Sequence, residues 1–186
     1  KGKGIPIVFI NPPVLTCVNF KYQVEELSKD FQVITFDIRG HGRSQYSEQP
    51  VTYPLIVEDI KRLLDHLKIK KAFICGYSIG GSVALEYLLN SADWSLGGIV
   101  ISGMSEVREK YLKKKISLGI SLASKRAIPI LALSISWSNS STKQFFIQQF
   151  KETKKGNAKN IEQYYRYSLQ YNCTQQLGKI KLPVLL

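Results

Sequence analysis

Short apolar runs alternating with helix-like segments constrain this chain more than any other feature of its sequence. Ile5 to Ile10 is entered through Gly4 and closed by Asn11-Pro12-Pro13. Phe31 to Phe36 ends in Asp37 to Gly42, and Ala72 to Cys75 and Gly98 to Ser102 follow further on. Each is close to a continuous run rather than an apolar-polar alternation, which is the pattern of a strand buried on both faces. Between them, Tyr22 to Lys29, Thr52 to Ile69 and Ile79 to Asn90 have helical spacing. In the second, Ile56, Ile60, Leu63, Leu64 and Leu67 fall on one face, Thr52 suits the cap and Pro54 the first turn. Strand-helix alternation predicts right-handed crossovers and an α/β fold: a doubly wound, mostly parallel sheet.

The character changes after Met104. Residues 106 to 172 are basic, Ser-rich and without a strand signal, and read as a helical lid inserted into the sheet. Helices are expected over Val107 to Leu122, Ser141 to Lys151 and Asn160 to Gln170, with an apolar segment broken at Pro129 between the first two. Ile128 to Trp137 could line a pocket beneath the lid or pack on the core. Ile180 to Leu186 reads as a return to the sheet. The division is therefore a core over 1–105, a lid over 106–172 and a return to the core over 173–186.

The charge follows the same division. The net charge is +12, yet residues 1–105 carry 11 Lys/Arg against 10 Asp/Glu, while 106–186 carry 15 against 4. A solvated lid surface accounts for this, and the same field can steer anionic ligands or surfaces. No stacking aromatics interleave with the charges as in a nucleic-acid module, so no nucleic-acid partner is expected. No apolar run reaches the roughly 18 residues of a spanning helix, so stable membrane insertion is not expected. Three cysteines, Cys17, Cys75 and Cys173, without C-x-x-C spacing, argue against a disulfide framework or a zinc site and for a reduced, cytoplasmic setting.

Gly76-Tyr77-Ser78-Ile79-Gly80 matches G-x-S-x-G. Chance gives that pattern in about 6% of chains of this length, so its context decides. It follows an apolar strand and opens an amphipathic helix, the setting in which a sharp turn thrusts a nucleophilic serine out of a sheet. Small residues two positions either side let the chain double back. The Ile79 N–H then lies at a helix N-terminus, suited to an oxyanion.

With this turn, two further segments resemble the α/β-hydrolase fold family. Ile5 to Pro13 sits where members have a strand and an H-G-x loop, and Asp37-Ile38-Arg39-Gly40-His41-Gly42-Arg43-Ser44 resembles D-x-R-G-x-G-x-S. The likeness is nearest the lidded branch of enol-lactonases, haloperoxidase-like proteins and small carboxylesterases. It implies a serine hydrolase with Ser78 as nucleophile, acting on an ester, thioester or lactone of a small, partly apolar molecule. No metal or organic cofactor is implied. Pro13, His41 and Tyr77 are placed at the pocket rim; Asp37 and Arg39 are read as pins for their loop.

Two departures matter. Members place an acid and then a histidine after the serine, neither is evident before Leu186, and the family's first two strands are missing ahead of Ile5, so the chain reads as truncated at both ends. The second oxyanion donor would fall on Pro13, which has no N–H, so the role passes to Val14 or the hole is half built. The rival reading is a non-catalytic small-molecule sensor, or an inactive remnant, on the same scaffold. Exposed sheet edges or the lid offer a route to a homo-oligomer.

Overall fold

The computed structural model describes residues 1–186. Its centre is a five-stranded sheet of β1 (Ile5–Ile10), β2 (Phe31–Thr35), β3 (Ala72–Tyr77), β4 (Ser95–Ile101) and β5 (Val184–Leu185), in the order β2-β1-β3-β4-β5. Every neighbouring pair is parallel. Helices α1 (Lys21–Leu27), α2 (Tyr53–His66) and α3 (Ile79–Asn90) make the crossovers, as the alternation of apolar runs requires.

Strand pleating divides the core in two. Val8, Ile10, Ile34 and Ile74 face α2 and α3 and join Ile56, Ile60, Leu64 and Val83 in a cluster of 28 buried residues. The residues next to them along the strands, Ile7, Phe9, Val33 and Cys75, face the other way and pack with Phe20. Both faces are thus apolar, which is why the strands read as runs. On α2, Thr52 caps the first turn by accepting a hydrogen bond from the Leu55 N–H at 3.3 Å.

Four helices lie between β4 and β5: α4 (Lys110–Ser124), α5 (Ile128–Ser138), α6 (Lys143–Thr153) and α7 (Ala158–Gln170). They share the core, since Ile116, Ile120, Leu131, Ile161 and Tyr164 belong to the same cluster as the sheet residues. Three differences from the sequence reading have simple causes. Pro129 opens α5 instead of breaking it, because a first-turn residue needs no N–H partner. Strand β4 starts at Ser95, ahead of Gly97-Gly98. Those two glycines mark close packing within the strand: a β-carbon on Gly98 would strike the Leu88 side chain. Thr174–Lys179 forms a 3-10 helix that carried no periodicity to find it by.

The strand order reverses direction between β1 and β3. In an open parallel sheet this leaves a crevice beyond the C-terminal ends of those two strands. The loop Asn11–Thr16 leaves one strand there and Ser78 leaves the other.

Removing side-chain volume from the centre of the sheet is costly. Ile74, wholly buried on β3, should lose about 2–5 kcal/mol of unfolding free energy on substitution Ile74→Ala. Leu118→Ala, at an exposed site on α4, should stay within about 0.5 kcal/mol. Urea unfolding of the two variants measures the contrast.

Candidate active site

Ser78 occupies a strained corner between β3 and α3, with φ 54° and ψ −124°. That conformation is open to glycine and costs other residues about 1–3 kcal/mol. The surroundings hold it there. A β-carbon on Gly76 would collide with the Gly80 carbonyl, and one on Gly80 with the Ile10 carbonyl. One on Gly81 would reach the Gly103 Cα at 2.8 Å. These glycines let the start of α3 lie directly against the ends of β1 and β4. The Ser78 N–H donates to the Ile101 carbonyl at 2.8 Å, and the Ser78 carbonyl accepts from the Gly81 N–H at 2.8 Å. Its hydrogen bonds are all through the backbone, and its side chain is half-buried.

The loop after β1 faces this corner. Pro13 is buried. Val14, also buried, has φ 77°, a left-handed value that a β-branched residue adopts only under constraint. Its N–H donates to no backbone or side-chain acceptor in the loop. Ile79, as the first residue of α3, has no intrahelical acceptor for its N–H either. Two unengaged amides thus stand on the segments that leave β1 and β3: Val14 in the loop after β1 and Ile79 next to Ser78. From Tyr77, the hydroxyl donates to Asn139 Oδ1 at 3.0 Å, tying the C-terminal end of α5 to the residue before Ser78. Tyr77, Ile101 and Asn139, together with Phe9, Phe20 and Phe145, line a cleft of about 330 Å³.

A family model described as the alpha/beta hydrolase fold matches residues 16–181. The chain belongs to the α/β-hydrolase fold family. Among curated relatives it is 34% identical over 88 residues to the AB hydrolase superfamily protein YisY of Bacillus subtilis, 47% of this chain and 33% of that protein. It is 44% identical over 63 residues to 3-oxoadipate enol-lactonase 1 of Acinetobacter baylyi, 34% of this chain and 23% of that one. The matched stretches thus span a third or less of those relatives' lengths. Among solved structures, an esterase from Thermogutta terrifontis superposes with a TM-score of 0.84 at 20% identity, covering 99% of this chain and 71% of its own. The enol-lactonase of Burkholderia xenovorans gives 0.83 at 21%, covering 98% and 72%. These two likenesses concern the fold.

In this α/β-hydrolase neither histidine meets the serine. His66 is exposed at the end of α2, before β3 begins, and so at the opposite, N-terminal end of the strands. His41 is almost wholly buried, not at an open rim, and its Nδ1 lies 3.1 Å from the Arg39 carbonyl. That contact places the ring proton on Nδ1. Burial lowers the imidazole to a pKa of about 4, so it is neutral near pH 7, and its Nε2 has no partner in the chain. The side chain of Asp37 accepts from the backbone N–H groups of Cys17 at 2.7 Å and Arg43 at 3.0 Å. Arg39 grips Asp59, with Nε to Oδ2 at 2.7 Å. Both are therefore occupied in holding loops. Burial, with Asp37 beside it, pushes the Cys17 thiol up to about 12, so no thiolate competes with Ser78.

The helical segment bears on the site through contacts that sequence reading did not foresee. The Tyr164 hydroxyl donates to the Asn11 carbonyl at 2.9 Å and so braces the loop after β1. Asn160 grips Ser47 through both backbone groups, at 2.8 and 2.9 Å. Asn139 and Asn160 lie 62 and 113 residues from their partners, and no spacing signal reaches that far. Along α5, Ile128, Leu131, Ala132 and Ser136 turn inward, so the helix presents its C-terminal end to the cleft and not its length. A larger cleft of about 940 Å³ lies between the 40–48 loop and the start of α7; neither cleft is lined by Ser78 or Val14 themselves, but the smaller one is lined by Tyr77, the residue next to Ser78. No cluster of three or more His, Cys, Asp or Glu side chains has metal-binding geometry.

Two measurements test this description. Ser78→Gly should raise stability by about 1 kcal/mol by relieving the corner, whereas Gly80→Ala should lose roughly 2 kcal/mol or more through backbone collision. Urea midpoints report both. His41, whose pKa falls on folding, takes up its proton in the unfolded state first. Stability should therefore drop as pH falls from about 6.5 towards 4, by roughly 3 kcal/mol over the whole window. Unfolding at pH 7 and pH 5 should show a smaller drop in His41→Gln.

Proposed function

We propose that this chain carries the nucleophile of a carboxylic ester hydrolase, with Ser78 attacking the carbonyl carbon of an ester, thioester or lactone. The observation that carries the reading is the strained Ser78 backbone at the head of α3, held by glycine contacts at the end of β3. A serine fixed there presents Oγ towards the crevice beyond the C-terminal ends of β1 and β3. As Oγ bonds to the carbonyl carbon, its proton passes to a base and the carbonyl oxygen becomes an oxyanion. The amides of Ile79 and Val14 would donate to that oxygen, and the α3 dipole favours the charge. Collapse of the intermediate would expel the alcohol or thiol and leave an acyl-serine, which water then hydrolyses. The strain at Val14 has a use in this scheme. It turns the next amide in the loop to serve where Pro13 has none.

The cleft lined by Tyr77, the residue next to Ser78, supports the substrate class. Its Phe9, Phe20, Tyr77 and Phe145 walls suit an apolar acyl or ring group, and Asn139 offers one polar anchor. The names of relatives, an esterase, an enol-lactonase and an sn-1-specific diacylglycerol lipase among them, share hydrolysis of such bonds. The α4–α7 segment would act as a lid over this cleft, with the Tyr77–Asn139 bond as its point of attachment.

The histidine and acid of a triad would come from outside these residues, since His41 and His66 are placed elsewhere. A specific observation favours a second reading, that of a small-molecule sensor: Pro13 offers no N–H where the second oxyanion donor is expected. A fluorophosphonate probe read by mass spectrometry separates the two. The hydrolase reading expects slow or no labelling of these 186 residues alone, and labelling at Ser78, lost in Ser78→Ala, in a longer form with the downstream sequence. A longer form that stays unlabelled while still binding small esters would leave the sensor.

A further inference from the structure

The helical segment carries a surface that the site chemistry does not use. Between Lys110 and Lys151 there are eight Lys/Arg and no Asp or Glu. The same stretch exposes large apolar side chains, among them Ile130, Leu133 and Trp137 on α5 and Ile147 on α6; Trp137 is 70% exposed. On α5 the helical period puts Leu131, Ala132 and Ser136 into the core and leaves Ile130, Leu133 and Trp137 as a stripe on the opposite side. The Trp137 ring meets Phe146 edge-on at 5.5 Å, so the stripe runs on across α6 towards Ile147. Lys125 and Arg126 stand at its start, and Lys143 and Lys151 on α6. The first carboxylate after this stretch, Glu152, is buried and held by Arg43 at 3.0 Å and Lys155 at 2.7 Å, which lowers its pKa to about 2. Helices α5 and α6 therefore offer apolar side chains and positive charge on their outer face, with no exposed Asp or Glu of their own.

Such a patch marks a contact surface, and its chemistry selects among occupants. A second copy would bring the same cations against these across a two-fold axis. Nucleic acid would meet the lysines but give Ile130 and Leu133 no apolar phase. An anionic bilayer satisfies both: phosphates meet Lys and Arg while Ile, Leu and Trp enter the headgroup–acyl boundary. Indole suits that depth, with an apolar body and an N–H that stays wet. We propose that the α5–α6 face docks on the surface of an anionic lipid bilayer, lying in its interface. No helix is long and apolar enough to cross a membrane, so the contact is peripheral. The inference stands apart from the hydrolase reading, and its test reads binding.

The experiment is co-sedimentation with vesicles of phosphatidylcholine, with and without phosphatidylglycerol. Binding is expected with phosphatidylglycerol and not without it, weakening as salt rises. Tryptophan emission should shift to the blue on binding in Trp94→Phe, where Trp137 alone remains, and not in Trp137→Phe. The triple change Ile130→Ser, Leu133→Ser and Trp137→Ser should weaken binding roughly tenfold or more, with the far-ultraviolet dichroism unchanged. Lys143→Glu with Lys151→Glu should weaken it as well, with the apolar stripe intact, which guards against misfolding of the triple variant. The proposal is overturned by no binding to phosphatidylglycerol vesicles, or by a folded triple variant that binds as the parent does, which leaves charge alone. A dimer in sedimentation equilibrium that the triple variant dissolves, without vesicle binding, would assign the face to a second copy instead.

Discussion

The close approach of three backbones at the head of α3 is the constraint on which the rest of this structure depends. Gly76, Gly80 and Gly81 permit it, because a side chain at any of them would meet the main chain of β1, of α3 or of the β4 loop. Ser78 is the residue left between them, and the enclosure fixes its unusual backbone. The strain, of order 1–3 kcal/mol, is held by packing further along: Val83, Ala84 and Tyr87 of α3 are fully buried. A helix anchored that firmly cannot relax its first turn. The same anchoring leaves the Ile79 amide unspent at the open end of the crevice.

Around this rigid corner the loops are held by polar contacts, many of them long-range. Asp37 closes the loop after β2 onto the loop after β1, and Arg39 ties it to α2 through Asp59. Tyr164 and Asn160 of α7 then clamp both loops from above. The buried polar groups here are costly without partners, and most are satisfied by residues far away in sequence. The side chains of Asn11 and Thr16 and the His41 Nε2 are left without a partner in the chain.

Much of this was legible in advance. Strands buried on both faces show as apolar runs, and α2 shows as a one-sided stripe with its cap, because burial acts directly on residue type. The G-x-S-x-G turn located Ser78 and Ile79 because the steric demand there is local and only glycine meets it. Pro129 misled because a proline breaks a helix interior yet starts a helix well, and its position within the helix cannot be read from neighbours alone. The sequence marks β4 only from Gly98, three residues late, because glycine marks turns and crowded strands alike.

Other features lay beyond reach. The burial of His41 and the bracing of Asn11 by Tyr164 depend on which loops face one another. So do the Tyr77–Asn139 bond and the continuity of Trp137 with Phe146. Each joins segments whose separation along the chain carries no periodic signal. The sequence by itself determined the order of strands and helices, the sharp serine corner and the uneven charge, since local sterics and burial write these into residue identity. Tertiary structure alone decided which amides stay free, which histidine is sealed in and which apolar side chains face outward, since those follow from how distant surfaces meet when the helices close over the sheet.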